Sequence, residues 1–309
     1  NLKIGSGTHA EQTGKMLVGI EKILLDEQPD IVLVYGDTNS TIAGAIASAK
    51  LRIPIAHIEA GLRSFNNNMP EEINRILTDR ISQLLFCPSE AAVQNLKNEG
   101  IKKNVCLVGD VMLDLVNENI ARIQKESKIL ETLNLREKQY ILATVHRSHN
   151  ADNIKNLESI FTAFIESGEK IIMPLHPRTE KMLSHTNLLN RIKKYKLIKL
   201  IKPVSYFDHI FLESKAKKII TDSGGVQKEA YLLKVPCITL RNETEWIETL
   251  HGGWNILVGT DAEKILKAIK QHKPNKKWHN FYGYGYTQKT ASEKIAEILQ
   301  KWVKTKNRC

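Results

Sequence analysis

What the chain lacks narrows its class first. None of its apolar runs reaches the roughly 20 residues that a membrane-spanning helix needs, so no membrane partner is expected. Its four cysteines, Cys87, Cys106, Cys237 and Cys309, lie far apart with no C-x-x-C pair. That spacing argues against a disulfide framework and for free thiols in a reducing cytoplasm. Aromatic residues make up only 6% of the chain, and they are not interleaved with basic ones in the way that stacks bases, so nucleic acid is not an expected partner. Internal repeats, low-complexity segments and a signal peptide are not evident. The chain also opens at Asn1 without a Met, and its natural start is expected upstream.

What is present is a globular composition of 42% hydrophobic and 26% charged residues over 309 positions, comfortable for two domains and hence a cleft. The net charge of +11 is uneven: residues 1–115 hold 11 Lys and Arg against 14 Asp and Glu, and residues 116–309 hold 34 against 20. A basic half suits a phosphorylated small molecule, although many of the lysines fit solvated helix faces equally well.

Apolar residues recur at helical spacing from Glu11 to Leu25, and the continuous run Ile31–Tyr35 that follows is too short for a buried helix. The alternation repeats through helices at 39–51, 71–80 and 89–98 and strands at 54–58, 84–87 and 105–108. Near-continuous apolar strands between amphipathic helices predict a parallel sheet covered on both faces, a Rossmann-like half over residues 1–116. A Lys-, Glu- and Asn-rich stretch at 117–138 predicts a helical linker. A second doubly wound half is expected over 139–288, with strands at 140–145, 170–174, 197–201, 218–221 and 235–239 and helices at 152–166, 178–192, 206–214 and 225–233. Its last stretch, 276–288, reads as loop, and a helix closes the chain within 289–309.

Ligands of open parallel sheets bind at the carboxyl ends of the strands. Asp37 and Glu59 each close an apolar run, and Glu71 opens a helix behind Pro70, so all three are candidates for proton transfer; Asp37 as a helix cap and Glu71 as an ordinary first-turn acid are the plainer alternatives. The segment Thr221–Gly225 (TDSGG) joins a strand to a helix, where backbone N–H groups made approachable by Gly224 and Gly225 can bind phosphate, or simply form a cap and turn. Glu229, one turn further on, can accept from sugar hydroxyls. His146 with Arg147, and His176 with Arg178, end two strands and can balance a diphosphate or protonate a leaving oxygen, unless the histidines are structural. His146 and His149 find no third ligand at a recognisable spacing, so no metal is expected. Gly5–Ala10 matches G-x-G-x-x-A but lacks the preceding strand of a dinucleotide fingerprint and reads as a decoy.

Tyr35–Thr38 (YGDT), His57–Arg63 (HIEAGLR), Pro70–Arg75 (PEEINR), Val145–Arg147 (VHR), His176–Arg178 (HPR), Thr221–Gln227 (TDSGGVQ) and Glu243–Glu245 (ETE) together resemble the non-hydrolysing UDP-N-acetylglucosamine 2-epimerase family. The resemblance implies a GT-B fold, two Rossmann-like domains facing a cleft, with the terminal helix packing back on the first. It also implies interconversion of UDP-N-acetylglucosamine and UDP-N-acetylmannosamine, without NAD, metal or other cofactor, through elimination of UDP to a 2-acetamidoglucal and re-addition. By matching motifs, Asp37, Glu59 and Glu71 become the acid/base carboxylates, and His146 assists the departing diphosphate. Ser223, Gly224, Gly225, Glu229 and Arg241 hold UDP, and a homodimer serving cell-surface polysaccharide precursors is expected.

The chain departs from this pattern in several places. The family's N-terminal strand and G-T-R-P-E loop have no counterpart, so several dozen residues are expected upstream of Asn1. Trp246 stands where many members have Arg, Lys228 replaces a common Glu, and His209 takes a position usually held by an aromatic residue. The Glu245–Trp246 pair also resembles relatives acting on UDP-2,3-diacetamido-2,3-dideoxyglucuronate, which makes that sugar the alternative substrate. Gly5–Gly14 lacks the glutamine placement of a substrate-activated effector site. A GT-B glycosyltransferase is the more distant alternative, because architecture and a UDP site alone do not separate transfer from epimerisation.

Overall fold

Short strands alternate with capped helices in the computed structural model, which describes residues 1–5, 7–184, 186–282 and 289–306. By contact density the chain divides into two compact units, Asn1–Asp114 with Asn280–Cys309, and Leu115–His279.

The first unit runs α1 (His9–Glu27), β1 (Val32–Tyr35), α2 (Asn39–Lys50), β2 (Ile55–Ile58), α3 (Pro70–Ile81), β3 (Leu84–Cys87), α4 (Glu90–Asn98) and β4 (Val105–Leu107). The strands pair in parallel in the order β1-β2-β3-β4. Local chemistry sets the helix starts. Thr8 and Glu11 form a capping box at α1, and the Ser89 hydroxyl accepts from Ala92 N at α4. The decoy motif at Gly5–Ala10 thus serves as the entry to α1, with no strand before it among the described residues and its Ser6 outside them.

Helix α5 (Val111–Glu126) begins in this unit and runs into the second, where α6 (Ile129–Leu133), β5 (Ile141–Thr144), α7 (Ser148–Ala151), α8 (Ile154–Ser167), β6 (Ile171–Pro174), α9 (Pro177–Ser184), α10 (Leu188–Lys193), β7 (Ile198–Ile201), α11 (Tyr206–Lys215), β8 (Lys218–Thr221), α12 (Gly224–Leu232), β9 (Cys237–Thr239), a 3₁₀ segment (Ile247–Gly253), β10 (Asn255–Leu257) and α13 (Ala262–Gln271) follow. Within the stretch 117–138, α5 runs on to Glu126 and α6 covers Ile129–Leu133, and Val116 and Ile123 pack with Ile210 and Phe211 inside the second unit. The single helix expected over 178–192 is two. Thr186 breaks it by turning its amide and hydroxyl back onto the Leu183 carbonyl.

The second sheet is also parallel, in the order β10-β9-β8-β5-β6-β7. Chain order therefore reverses between β5 and β8, the topological switch point where such sheets hold ligands. One face carries Ile141, Ala143, Ile171, Met173, Ile220 and Ile238 against Phe161 and Phe164 of α8 and Ile265 of α13. Each fully buried side chain of this kind contributes about 1.5–3 kcal/mol. Helix α14 (Ala291–Lys306) closes the chain, and its Ile295 joins the first-unit core of Ala56, Ile58, Leu84, Phe86 and Val108. The reading of 276–288 as loop falls partly on residues 283–288, and that of Cys309 as a free thiol wholly, outside the described residues; Cys87, Cys106 and Cys237 are free. No described helix is long and apolar enough to cross a membrane.

Candidate active site

At the end of β1, Gly36 turns the chain through the left-handed region at φ +61° and leaves room for a neighbour: a Cβ there would lie 3.3 Å from Glu59 Oε2. Asp37 follows and is not the helix cap, because Thr38 holds that position in α2. Its carboxylate instead pairs with Arg75 Nη2, and its carbonyl accepts from Asn74 Nδ2 at 2.8 Å. Arg75, buried, also donates to Glu72 Oε2 at 2.5 Å, and Glu72 accepts from the amides of Ser64 and Phe65. Glu71, half-buried, sits in the first turn of α3 next to Glu72. Glu59 and Asp37 thus belong to one strand-end neighbourhood, which Arg75 ties to the helix carrying Glu71.

The loop that presents Glu59 is held from beneath by groups that sequence reasoning missed. His57, buried, points Nδ1 at Asp79 Oδ1 (2.7 Å) and Nε2 at the Gly36 carbonyl (2.8 Å). Asp79 Oδ2 accepts from Arg63 Nη1 at 2.7 Å and from Gly61 N at 3.1 Å, and Arg63 forks onto Glu99 at 2.7 and 2.9 Å. Burial pushes the Asp79 carboxyl up, but His57 and Arg63 outweigh it and hold it below the usual range. Burial likewise works against the Arg63 charge, and Glu99 and Asp79 more than restore it. The backbone above is strained: Glu59 itself adopts φ +70°.

In the second unit, the switch point between β5 and β8 is organised by Asp222, another residue not singled out. Fully buried, it accepts from the amides of His146 (3.0 and 3.1 Å) and Arg147 (3.1 Å) and from Asn150 Nδ2 (3.1 Å). The signal in the sequence was an aspartate directly before Ser-Gly-Gly. The His146 ring lies 5.3 Å from that of His176, centroid to centroid, so two of the expected residues come together. Burial lowers the His146 pKa; Asp222 opposes this, while His176, Arg147 and His209 reinforce it. Arg178, exposed, is turned toward Asp152 at 3.4 Å.

Ser223 is the N-cap of α12 but makes no side-chain cap bond, unlike Ser205 at α11, Asn153 at α8 and Asp261 at α13. Gly224 is required there: a Cβ would collide with the Glu245 carboxylate and approach Trp246 Nε1 to 3.3 Å. Arg241 pairs with Glu245 at 2.9 Å and with Glu243 at 3.6 Å. Lys228, buried, places Nζ 4.2 Å from the centre of the Trp246 ring, so two of the departures from the family pattern form one cation–π contact. Burial and the neighbouring Glu213 push Glu229 up to about 8, with His209, Tyr206 and Lys228 pulling the other way. Among the described residues, no three His, Cys, Asp or Glu side chains gather to hold a metal ion.

Residues 1–300 match the family described as UDP-N-acetylglucosamine 2-epimerase. The chain is 59% identical over 301 residues to a UDP-N-acetylglucosamine 2-epimerase homolog of Methanococcus maripaludis, covering 97% of this chain and 84% of that protein. It is 44% identical to the UDP-2,3-diacetamido-2,3-dideoxy-D-glucuronate 2-epimerase of Pseudomonas aeruginosa, covering 97% and 83%. Its fold is similar to the crystal structure of the Methanocaldococcus jannaschii UDP-GlcNAc 2-epimerase in complex with UDP-GlcNAc and UDP, with a TM-score of 0.90 at 49% identity over 97% of this chain and 84% of that one. With two parallel Rossmann-like sheets of the GT-B type and these relatives, the chain belongs to the UDP-N-acetylglucosamine 2-epimerase family of isomerases.

Proposed function

We propose that the chain interconverts UDP-N-acetylglucosamine and UDP-N-acetylmannosamine by eliminating UDP and adding it back with inversion at C2, using neither cofactor nor metal. The observation that carries this reading is the switch point, where His146 and Ser223–Gly225 follow the ends of the two adjacent strands β5 and β8. The diphosphate rests on the N-terminus of α12, with His146, His176 and Arg178 balancing its charge, while Glu229 and Arg241 serve the rest of the nucleotide. Asp37, Glu59 and Glu71 serve the sugar.

A carboxylate takes the C2 proton, the C1–O bond breaks with its electron pair leaving on UDP, and C1=C2 forms in the glucal. Return of a proton to the opposite face of C2 and reattack by UDP at C1 complete the inversion. Burial holds the His146 imidazole below its ordinary value, and an arriving diphosphate favours its imidazolium, which then donates to the departing oxygen. A second reading, epimerisation of UDP-2,3-diacetamido-2,3-dideoxyglucuronate, is supported by the relative named for that activity and by the cation that Lys228 holds on Trp246. The enzyme is read as a cytoplasmic homodimer that supplies polysaccharide precursors.

Incubation in deuterated water tests the chemistry: C2 of the preferred UDP-sugar gains deuterium, and comparing rates on the two sugars assigns the substrate. An unexchanged C2 in both would overturn the reading. Asp37→Asn and Glu59→Gln should lower turnover by about 10²–10⁴-fold with little change in UDP affinity, whereas Ser223→Ala and Glu229→Ala should weaken UDP binding. Loss of UDP binding in Asp37→Asn with turnover of bound substrate intact would reverse the assigned roles.

A further inference from the structure

His57 lies in β2, just before Glu59, and is fully buried. Its Nε2 is 2.8 Å from the Gly36 carbonyl in the turn after β1. A carbonyl oxygen only accepts, so Nε2 carries the proton and donates there. The Gly36 amide in turn donates to the Ile58 carbonyl at 3.0 Å, so both backbone polar groups of Gly36 are satisfied from β2. Asp37, the next residue, is thereby tied to the strand that ends at Glu59. On its other side the ring places Nδ1 2.7 Å from Asp79 Oδ1 on α3, the helix whose first turn holds Glu71. One imidazole thus touches each of the three elements that carry the candidate carboxylates.

The flanking carbonyls are held differently: that of Tyr35 accepts from Thr41 Oγ1 on α2, and that of Asp37 from Asn74 Nδ2 on α3. The bond to Gly36 comes from the strand of Glu59 itself. Gly36 and Glu59 both adopt left-handed backbone, at φ +61° and +70°, and for Glu59 such a conformation persists only where its surroundings impose it. We propose that His57 is a positioning residue for the epimerisation, whose Nε2–H bond to the Gly36 carbonyl sets the spacing between Asp37 and Glu59. The inference rests on the reading above that these acids work on the sugar. Removal and return of a proton at C2 are two steps at one carbon, and displacing a reacting group by about 1 Å costs on the order of 10²-fold. An intermediate whose second protonation is slowed has longer to escape as free UDP and glucal.

Two amide variants separate the two arms of the ring, since the Asn amide stands as many bonds from Cα as Nδ1, and the Gln amide nitrogen as many as Nε2. His57→Asn keeps a partner for Asp79 and loses the Gly36 bond, and His57→Gln does the reverse. His57→Asn should lower kcat by about 10²-fold with UDP affinity unchanged. In deuterated water it should also release more free UDP per deuterium incorporated at C2. His57→Gln should keep kcat and that ratio near wild type while melting at a lower temperature. The ratio belongs to each folded molecule, so it is readable in a partly folded variant, and a merely structural role leaves it unmoved. The proposal is overturned if His57→Asn keeps the wild-type kcat and ratio, if its UDP affinity falls as far as its kcat, or if His57→Gln loses as much turnover as His57→Asn. Asp37→Asn and Glu59→Gln are run in parallel. Normal turnover in both would overturn the reading of the acids themselves, whereas their loss beside an unaffected His57→Asn would sink this inference alone.

Discussion

Single residues show how much of the candidate site depends on partners distant in sequence. Asp79 illustrates this, since one carboxylate neutralises Arg63, orients His57 and receives the amide of Gly61. Removing its charge strands the buried Arg63 guanidinium, so Asp79→Asn should destabilise the protein by about 3–5 kcal/mol in urea titration. Its pKa is held below the unfolded value of 3.8, so this stabilisation is fully present above that value and is lost as pH falls through the lower folded one. The gap between Asp79→Asn and wild type should therefore close in strong acid, and a constant gap would show that the charge is not what matters. None of this was legible from the linear pattern. The strand-end acids stood out because they interrupt apolar runs, but Asp79 is an ordinary helical residue until folding brings it under His57, and Asp222 meets the amide of His146 from 76 positions away.

At the scale of elements, the turn after β2 depends on a glycine more than its helices depend on any one residue. Gly61 sits at φ +81°, and a Cβ there would collide with the Ala92 carbonyl of α4; Gly100 has nearly the same φ, +82°, but nothing within 4 Å. Gly100→Ala should thus cost only the left-handed strain of about 1–2 kcal/mol, and Gly61→Ala clearly more. Equal shifts in urea midpoint would show that the α4 contact yields freely. The alternation of helix and strand was readable because buried parallel strands are continuous apolar runs and the helices carry their own caps. Several features escaped, the short helix α7 (Ser148–Ala151) among them. Strand β10 is only Asn255–Leu257, lodged among Gly252, Gly253 and Gly259; the Ile247–Gly253 segment has too few turns to show a period; and α13, amphipathic though it is, went unassigned beyond the last expected strand.

For the molecule as a whole, the uneven charge now has a structural partition. The acidic stretch forms most of the unit with the strand-end carboxylates, and the basic stretch forms most of the unit with the phosphate-type helix terminus. Fold class followed from periodicity, whereas the substrate did not, because one architecture serves enzymes with different substrates. The left-handed backbone of Glu59 carries a last consequence. Glycine would relax that conformation and delete the carboxylate in one step, so Glu59→Gly should melt at a higher temperature than wild type while losing turnover. Selection for thermal robustness alone would drift toward an inert variant, and stabilising this enzyme for use calls for changes elsewhere in the chain.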